Sequence, residues 1–181
     1  MDNQSSFDAV IRTSGEHINL LEELHGKPAI ATLTEFSGGF FTGRPQPHDH
    51  STLLGTVSRD PRLDRKPLRL RFQYTEAGYA LTIKNTGEHQ DKYIGLAWRN
   101  HFGVTTASIE DAALFSLTDQ NNNILTRDSL KAAHTLITLR TATDKYIGRS
   151  KRRGSPYTYL AETDENAKIT FILSLLEHSS S

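Results

Sequence analysis

Four stretches of the sequence carry side chains able to bind or transform a ligand. GRSKRRGSPY sets Arg149, Lys151, Arg152 and Arg153 in one short run. Clustered guanidinium and ammonium groups on a single loop satisfy several oxygens of a sulfate, phosphate or carboxylate together. GLAWRNHFG holds the sole tryptophan, Trp98, followed by Arg99, Asn100 and His101. A ring face beside donors and an acceptor suits a sugar, whose C–H face packs on aromatics while its hydroxyls take directed hydrogen bonds. PQPHDHST offers His48, Asp49 and His50. In an extended segment His-x-His puts both imidazoles on one side, a weak start on a metal site that a third ligand such as His101 would have to complete. SRDPRLDRKPLRLR contains Arg59, Arg62, Arg65, Lys66, Arg69 and Arg71, but Asp60 and Asp64 are interleaved. Local ion pairing is the expectation there, with Arg69 and Arg71 on the outer face of a strand.

Nothing in the chain reads as catalytic. G-x-S-x-G, a phosphate-binding glycine pattern and H-E-x-x-H are all missing, and the neighbours Glu110 and Asp111 read as a solvated turn. The expectation is a protein that is not an enzyme, with no catalytic residues and no cofactor. The absence of cysteine rules out disulfides, thiolate chemistry and Cys-ligated zinc. Lys plus Arg equals Asp plus Glu at 21 each, so any attraction to an anionic partner is local, and nucleic acid is not an expected partner. The start, MDNQSSFDAVIRTSGEH, lacks a basic stretch followed by an apolar one, and no apolar run approaches about 18 residues. These features predict a soluble chain without a transmembrane segment, cytoplasmic or exported by a non-classical route.

The elements that must position these residues announce themselves by repetition. DKYIG occurs at 91–95 and again at 144–148, aligning Tyr93 with Tyr146 and Gly95 with Gly148. A degenerate third copy is read in GGFFTG, with Phe41 for the tyrosine and Gly43 for the glycine. Strand-like runs precede the copies (AIATLT, YALTIK, TLITLR), and alternating runs follow them (LRLRFQY, ALFSL, ITFIL). LLGTV, GVTTA and YTYLA lie between, giving four short strands per repeat. Three such repeats exclude an open solenoid with bare edges and favour a closed threefold arrangement.

This pattern resembles the β-trefoil superfamily, in particular fascin-like and fibroblast-growth-factor-like trefoils; the ricin-type Q-x-W repeat is missing. The expected fold is therefore all-β: three four-stranded repeats in a closed barrel with a hairpin cap, plus a short N-terminal helix. Residues 1–27 form an extension carrying that helix, 28–176 the trefoil and 177–181 a tail. Ser14 is the expected N-cap, Ile18, Leu21 and Leu24 the helix's apolar face, and Gly26 its stop. One core layer is assigned to Leu33, Ile83 and Leu139, a second to Phe41, Tyr93 and Tyr146, and a third to Phe72, Phe115 and Phe171.

The resemblance implies a binding module acting through its loops. The heparin-binding loop of fibroblast growth factors occupies a place similar to that of Arg149, Lys151, Arg152 and Arg153. The first expectation is a lectin-like, carbohydrate-binding trefoil, with anionic glycans among its ligands and Trp98, Arg99, Asn100 and the four basic residues as the site. His48 and His50 stand as weak metal candidates. The alternative is a trefoil with a protein partner: a protease inhibitor, an actin-bundling module or a toxin's receptor-binding component, with RPQPHDHST as the contact.

Overall fold

The structure, a computed structural model, describes residues 5–34, 36–37, 40–41 and 44–176, with 36–37 and 40–41 described by their backbone alone. In chain order the elements are β1 (Phe7–Arg12), β2 (Glu16–Leu20), α1 (Leu21–His25), β3 (Ile30–Leu33), β4 (Phe36–Ser37), β5 (Phe40–Phe41), β6 (Gln46–Asp49), β7 (Leu54–Ser58) and β8 (Arg69–Thr75). There follow β9 (Gly78–Ile83), β10 (Ile94–Trp98), β11 (His101–Val104), β12 (Leu114–Thr118), β13 (Ile124–Leu125), β14 (His134–Thr141), β15 (Tyr146–Lys151), β16 (Thr158–Thr163) and β17 (Phe171–Leu175). The class is all-β: the described residues form one 13-stranded antiparallel sheet and two small two-stranded ones, β3 with β6 and β4 with β5. YALTIK, TLITLR, LRLRFQY, ALFSL and ITFIL all fall on strands, as do LLGTV, YTYLA and the start of GVTTA.

The pairings of six strands return to their origin. β1 pairs β8, β8 pairs β9, β9 pairs β12, β12 pairs β14, β14 pairs β17, and β17 pairs β1. Period-two alternation turns one set of side chains from each into a common core: Phe7, Ala9 and Ile11; Leu70 and Phe72; Tyr79, Leu81 and Ile83; Phe115 and Leu117; Ile137 and Leu139; Phe171 and Leu173. Phe72, Phe115 and Phe171 are fully buried, as expected. The remaining long strands make hairpins, β2 with β7, β10 with β11 and β15 with β16, linked to one another where β16 contacts β7 and β11.

The first repeat copy does not lie where the sequence suggested. Gly43 and the side chain of Phe41 are outside the described residues, and Leu33, although buried, sits on β3 away from the main core. The structural counterpart of KYIG is EHIN, at 16–19. Ile18, Ile94 and Ile147 are all buried in the same core. The Thr13 N–H reaches the Glu16 carbonyl just as the Thr141 N–H reaches that of Lys145 and the Ile83 N–H that of Lys92. By that register Ile11 matches Leu139 and Leu81, all buried in the main core, whereas Ile83 stands with Thr13 and Thr141 and not, as the sequence suggested, with Leu139. Residues 1–27, expected to stand outside the β-domain, thus supply β1 and β2, and β1 is flanked on both sides. The helix starts only at Leu21, not after Ser14, and ends as expected at Gly26, whose N–H returns to the Glu22 carbonyl.

The repeated glycine answers a steric demand. A Cβ on Gly148 would come within 2.7 Å of the Ala167 carbonyl oxygen, and one on Gly95 would press on that of Asp111. Each carbonyl belongs to a one-turn 3₁₀ segment, Ile109–Asp111 or Glu165–Ala167, laid across the strand. In the first copy the position is Asn19, whose amide instead donates to the Lys66 carbonyl at 3.1 Å. Gly148→Ala should therefore cost about 1–3 kcal/mol by overpacking, read as a fall in Tm of roughly 3–10 °C for a chain of this size. An unchanged Tm would contradict this packing.

Candidate functional site

Segments remote in sequence meet around Trp98. The β10–β11 hairpin turns through Arg99 and Asn100, with Arg99 in the left-handed region at φ 52°. This sets Trp98 against His101, ring centroids 4.9 Å apart. From the β3–β6 ribbon, an arm inserted between β2 and β7, His50 lies 4.4 Å and His48 6.1 Å from the Trp98 ring. From the β15–β16 hairpin, Tyr159 approaches His50 and His101 edge-on at 5.3 and 4.9 Å. Tyr157 extends the cluster to His25 of α1 at 4.8 Å. His-x-His behaves as the alternation predicts, with both imidazoles on the Trp98 side.

Hydrogen bonds lock this junction. The Tyr159 hydroxyl bridges Nδ1 of His50, at 2.7 Å, and Oγ of Ser155, at 2.6 Å. Arg152 donates through Nη2 to Oδ1 of Asn100, at 3.0 Å, and through Nε to Nε2 of His101, at 3.4 Å. Its guanidinium lies 5.6 Å from the Trp98 ring centre, with that of Arg99 at 4.9 Å, both within cation–π range. The loop after Arg152 is held by Gly154, at φ 90°, where any Cβ would strike the Thr32 carbonyl oxygen on β3. Burial raises the Tyr159 hydroxyl above the ordinary tyrosine range. Burial likewise pushes the His50 and His101 imidazoles down to about 4, helped by His48 for the first and by Arg152 for the second.

Of the expected site residues, the structure brings Trp98, Arg99, Asn100 and Arg152 together and sends Arg149 elsewhere. Arg149 grips the Glu16 carboxylate on β2, with Nε 2.8 Å from Oε1. That hydrogen bond holds Glu16 below the usual carboxylate range. Lys151 and Arg153 are exposed at the hairpin end, and among the described residues neither they nor Arg152 have a carboxylate within ion-pair distance. Trp98 is only half-buried, but imidazoles and guanidiniums already line its ring, so it is less open as a stacking platform than the sequence suggested. Among the described residues no three His, Cys, Asp or Glu side chains are grouped to hold a metal ion. The second basic stretch pairs locally as expected at Arg62 with Asp60, while Arg71 reaches Asp8 on β1 and Arg65 the Leu24 carbonyl.

Sequence reasoning missed Ser155, Tyr157 and Tyr159 as part of this junction. The aromatic alternation in SPYTYLA was a visible signal, but only the hairpin pairing shows that it faces Trp98. A separate groove of about 730 Å³ lies between α1, the 84–89 loop and Leu68, where Nε2 of His89 is 2.9 Å from Oε1 of Glu22. No helix among the described residues is long and apolar enough to cross a membrane. No family model matches this chain, and neither a curated protein nor a solved structure was found to resemble it.

Proposed function

We propose that this chain is a non-enzymatic binding module of β-trefoil fold that takes an anionic glycan at the edge of the Trp98 junction. The trefoil reading is supported by the six strands whose pairings return on themselves and by the three hairpins that follow β1, β9 and β14 in turn. The ligand reading rests on one observation above all. Lys151, Arg152 and Arg153 follow one another at a single hairpin end, and none has a carboxylate within ion-pair distance among the described residues. Arg152 is held in place by Asn100 and His101, so its remaining donors are oriented before a ligand arrives, which lowers the ordering cost of binding. Sulfate or carboxylate groups accept from such donors, and the half-buried Trp98 edge beside them offers an apolar contact for a sugar ring.

A glycan array together with heparin retention tests the reading. The wild type should bind sulfated or uronate-containing glycans and leave heparin only at raised salt. Combined Lys151→Ala, Arg152→Ala and Arg153→Ala should shift elution to much lower salt and reduce array signals at least tenfold. Absence of wild-type binding, or retention undiminished in the triple variant, rejects the anionic-glycan site.

A protein partner is the second reading. The β3–β6 ribbon, with only two strands, leaves an edge to which an extended segment could add, and Ile30 on it is 39% exposed. Of RPQPHDHST, the half carrying Arg44 to Pro47 is exposed, whereas His50 is turned inward. Pull-down with and without competing glycan separates the two readings.

A further inference from the structure

His50 and His101 stand on opposite sides of the junction that fixes the arm, and neither has room for a second proton. His50, on the arm side, is 2% exposed; its Nδ1 is committed to the Tyr159 hydroxyl, and its Nε2 is buried with no hydrogen-bond partner. His101, on β11, is fully buried and accepts from Nε of Arg152 through its own Nε2. A proton on that nitrogen would set two N–H groups against each other and place two cations in contact. Both events strike the same contact, because the Arg152 loop packs through Gly154 on Thr32 of the arm.

The surrounding charges do little to accommodate a proton. On the arm, His48 lies beside His50, and Asp49 is the one neighbour favouring its protonated form. The Asp49 carboxylate is engaged by the N–H and hydroxyl of Ser51, with Lys27 nearby. From the two hairpins come Arg99, Arg152, Tyr157 and Tyr159. From α1 comes His25, with Arg65 acting on it from the 59–68 segment.

We propose that this junction is an acid-sensitive latch: protonation of His50 and His101 releases β3 and β6 from the Trp98 and Tyr159 hairpins while the six mutually paired strands stay formed. The direction follows from linkage. Burial holds both imidazoles near 4, below their ordinary 6.5, so the released state binds protons more readily. Docking is fully favoured above pH 6.5 and weakens as pH falls from 6.5 towards 4. The latch rests on packing alone and needs no ligand. If the anionic-glycan reading holds, release would displace Arg152 from the same site.

Trp98, as the sole tryptophan, reports on the latch directly. On lowering the pH from neutral to about 4, the wild type should show a red-shifted emission and several-fold greater acrylamide quenching, with a midpoint between 4 and 6.5 and an unchanged far-ultraviolet sheet signal. Amide exchange should rise in β3 and β6 over the same interval. The combined His50→Gln and His101→Gln variant should lose the transition. Emission that stays flat to pH 4, a change that coincides with loss of the sheet signal, or a transition that persists in the folded variant overturns the proposal. Should the variant fail to fold, histidine NMR titration of the wild type decides. Two imidazoles titrating well below 6.5 in step with Trp98 emission support the latch; imidazoles all titrating near 6.5 overturn it.

Discussion

Phe115→Ala is expected to remove about 3–5 kcal/mol of stability, enough to lower Tm by roughly 10 °C or more. Phe115 is fully buried on β12, beside Phe102 at a ring separation of 5.6 Å, and β12 pairs both β9 and β14. Truncation there removes a large apolar group from water-free surroundings and leaves a cavity among strands that hold one another in place and so relax little. Phe115→Leu, which keeps most of the volume, should cost less than about 1.5 kcal/mol. Denaturant titration of both variants checks the contrast; equal, small losses would mean that the six strands do not enclose a shared core.

Tyr159→Ala is expected to be comparably severe, at about 3–5 kcal/mol, but with a local signature. Tyr159 is the hub that His50 and His101 meet edge-on, and it is fully buried. Its removal should change Trp98 emission in the folded state, which Phe115→Ala should not. Tyr159→Phe isolates the hydroxyl. His50 Nδ1 and Ser155 Oγ would lose their shared partner, and His50 already has one unpartnered nitrogen. That loss should cost about 1–3 kcal/mol. A Tyr159→Phe variant as stable as the wild type would show that the bridge contributes nothing net.

What could be read from the sequence follows from which signals are local. Period-two alternation marked LRLRFQY, ALFSL and ITFIL as strands because each alone shows one apolar face. The two identical copies of DKYIG were found because both answer the same steric demand from a crossing carbonyl at Gly95 and Gly148. The first copy escaped because that demand is absent there: Asn19 fills the space with an amide and His17 replaces the tyrosine. The arm then placed a second set of strand-like residues, AIATLT, where the repeat was sought. For the site, Trp98, Arg99, Asn100 and Arg152 were legible as chemistry, and His48 and His50 as a pair with His101 as an example of a third partner. Their meeting was not legible, because it depends on the pairing of β11 with β16 and on the packing of Gly154 on Thr32. The ion pair of Arg149 was not legible for a related reason: its partner, Glu16, lay in a segment taken to be outside the domain.

The pairing of Phe7–Arg12 with Phe171–Leu175 also bears on how the molecule comes to be made. Ala9 lies opposite Leu175, nearly the whole chain away, and the two strands complete the cycle of six. Such long-range closure is entropically late, so refolding should be slow for a chain of this size. On a ribosome, β1 must wait for β17, which emerges after every other described strand. Until then one edge of β1 is unpaired, and the nascent chain carries an open, apolar strand edge that favours capture by a chaperone.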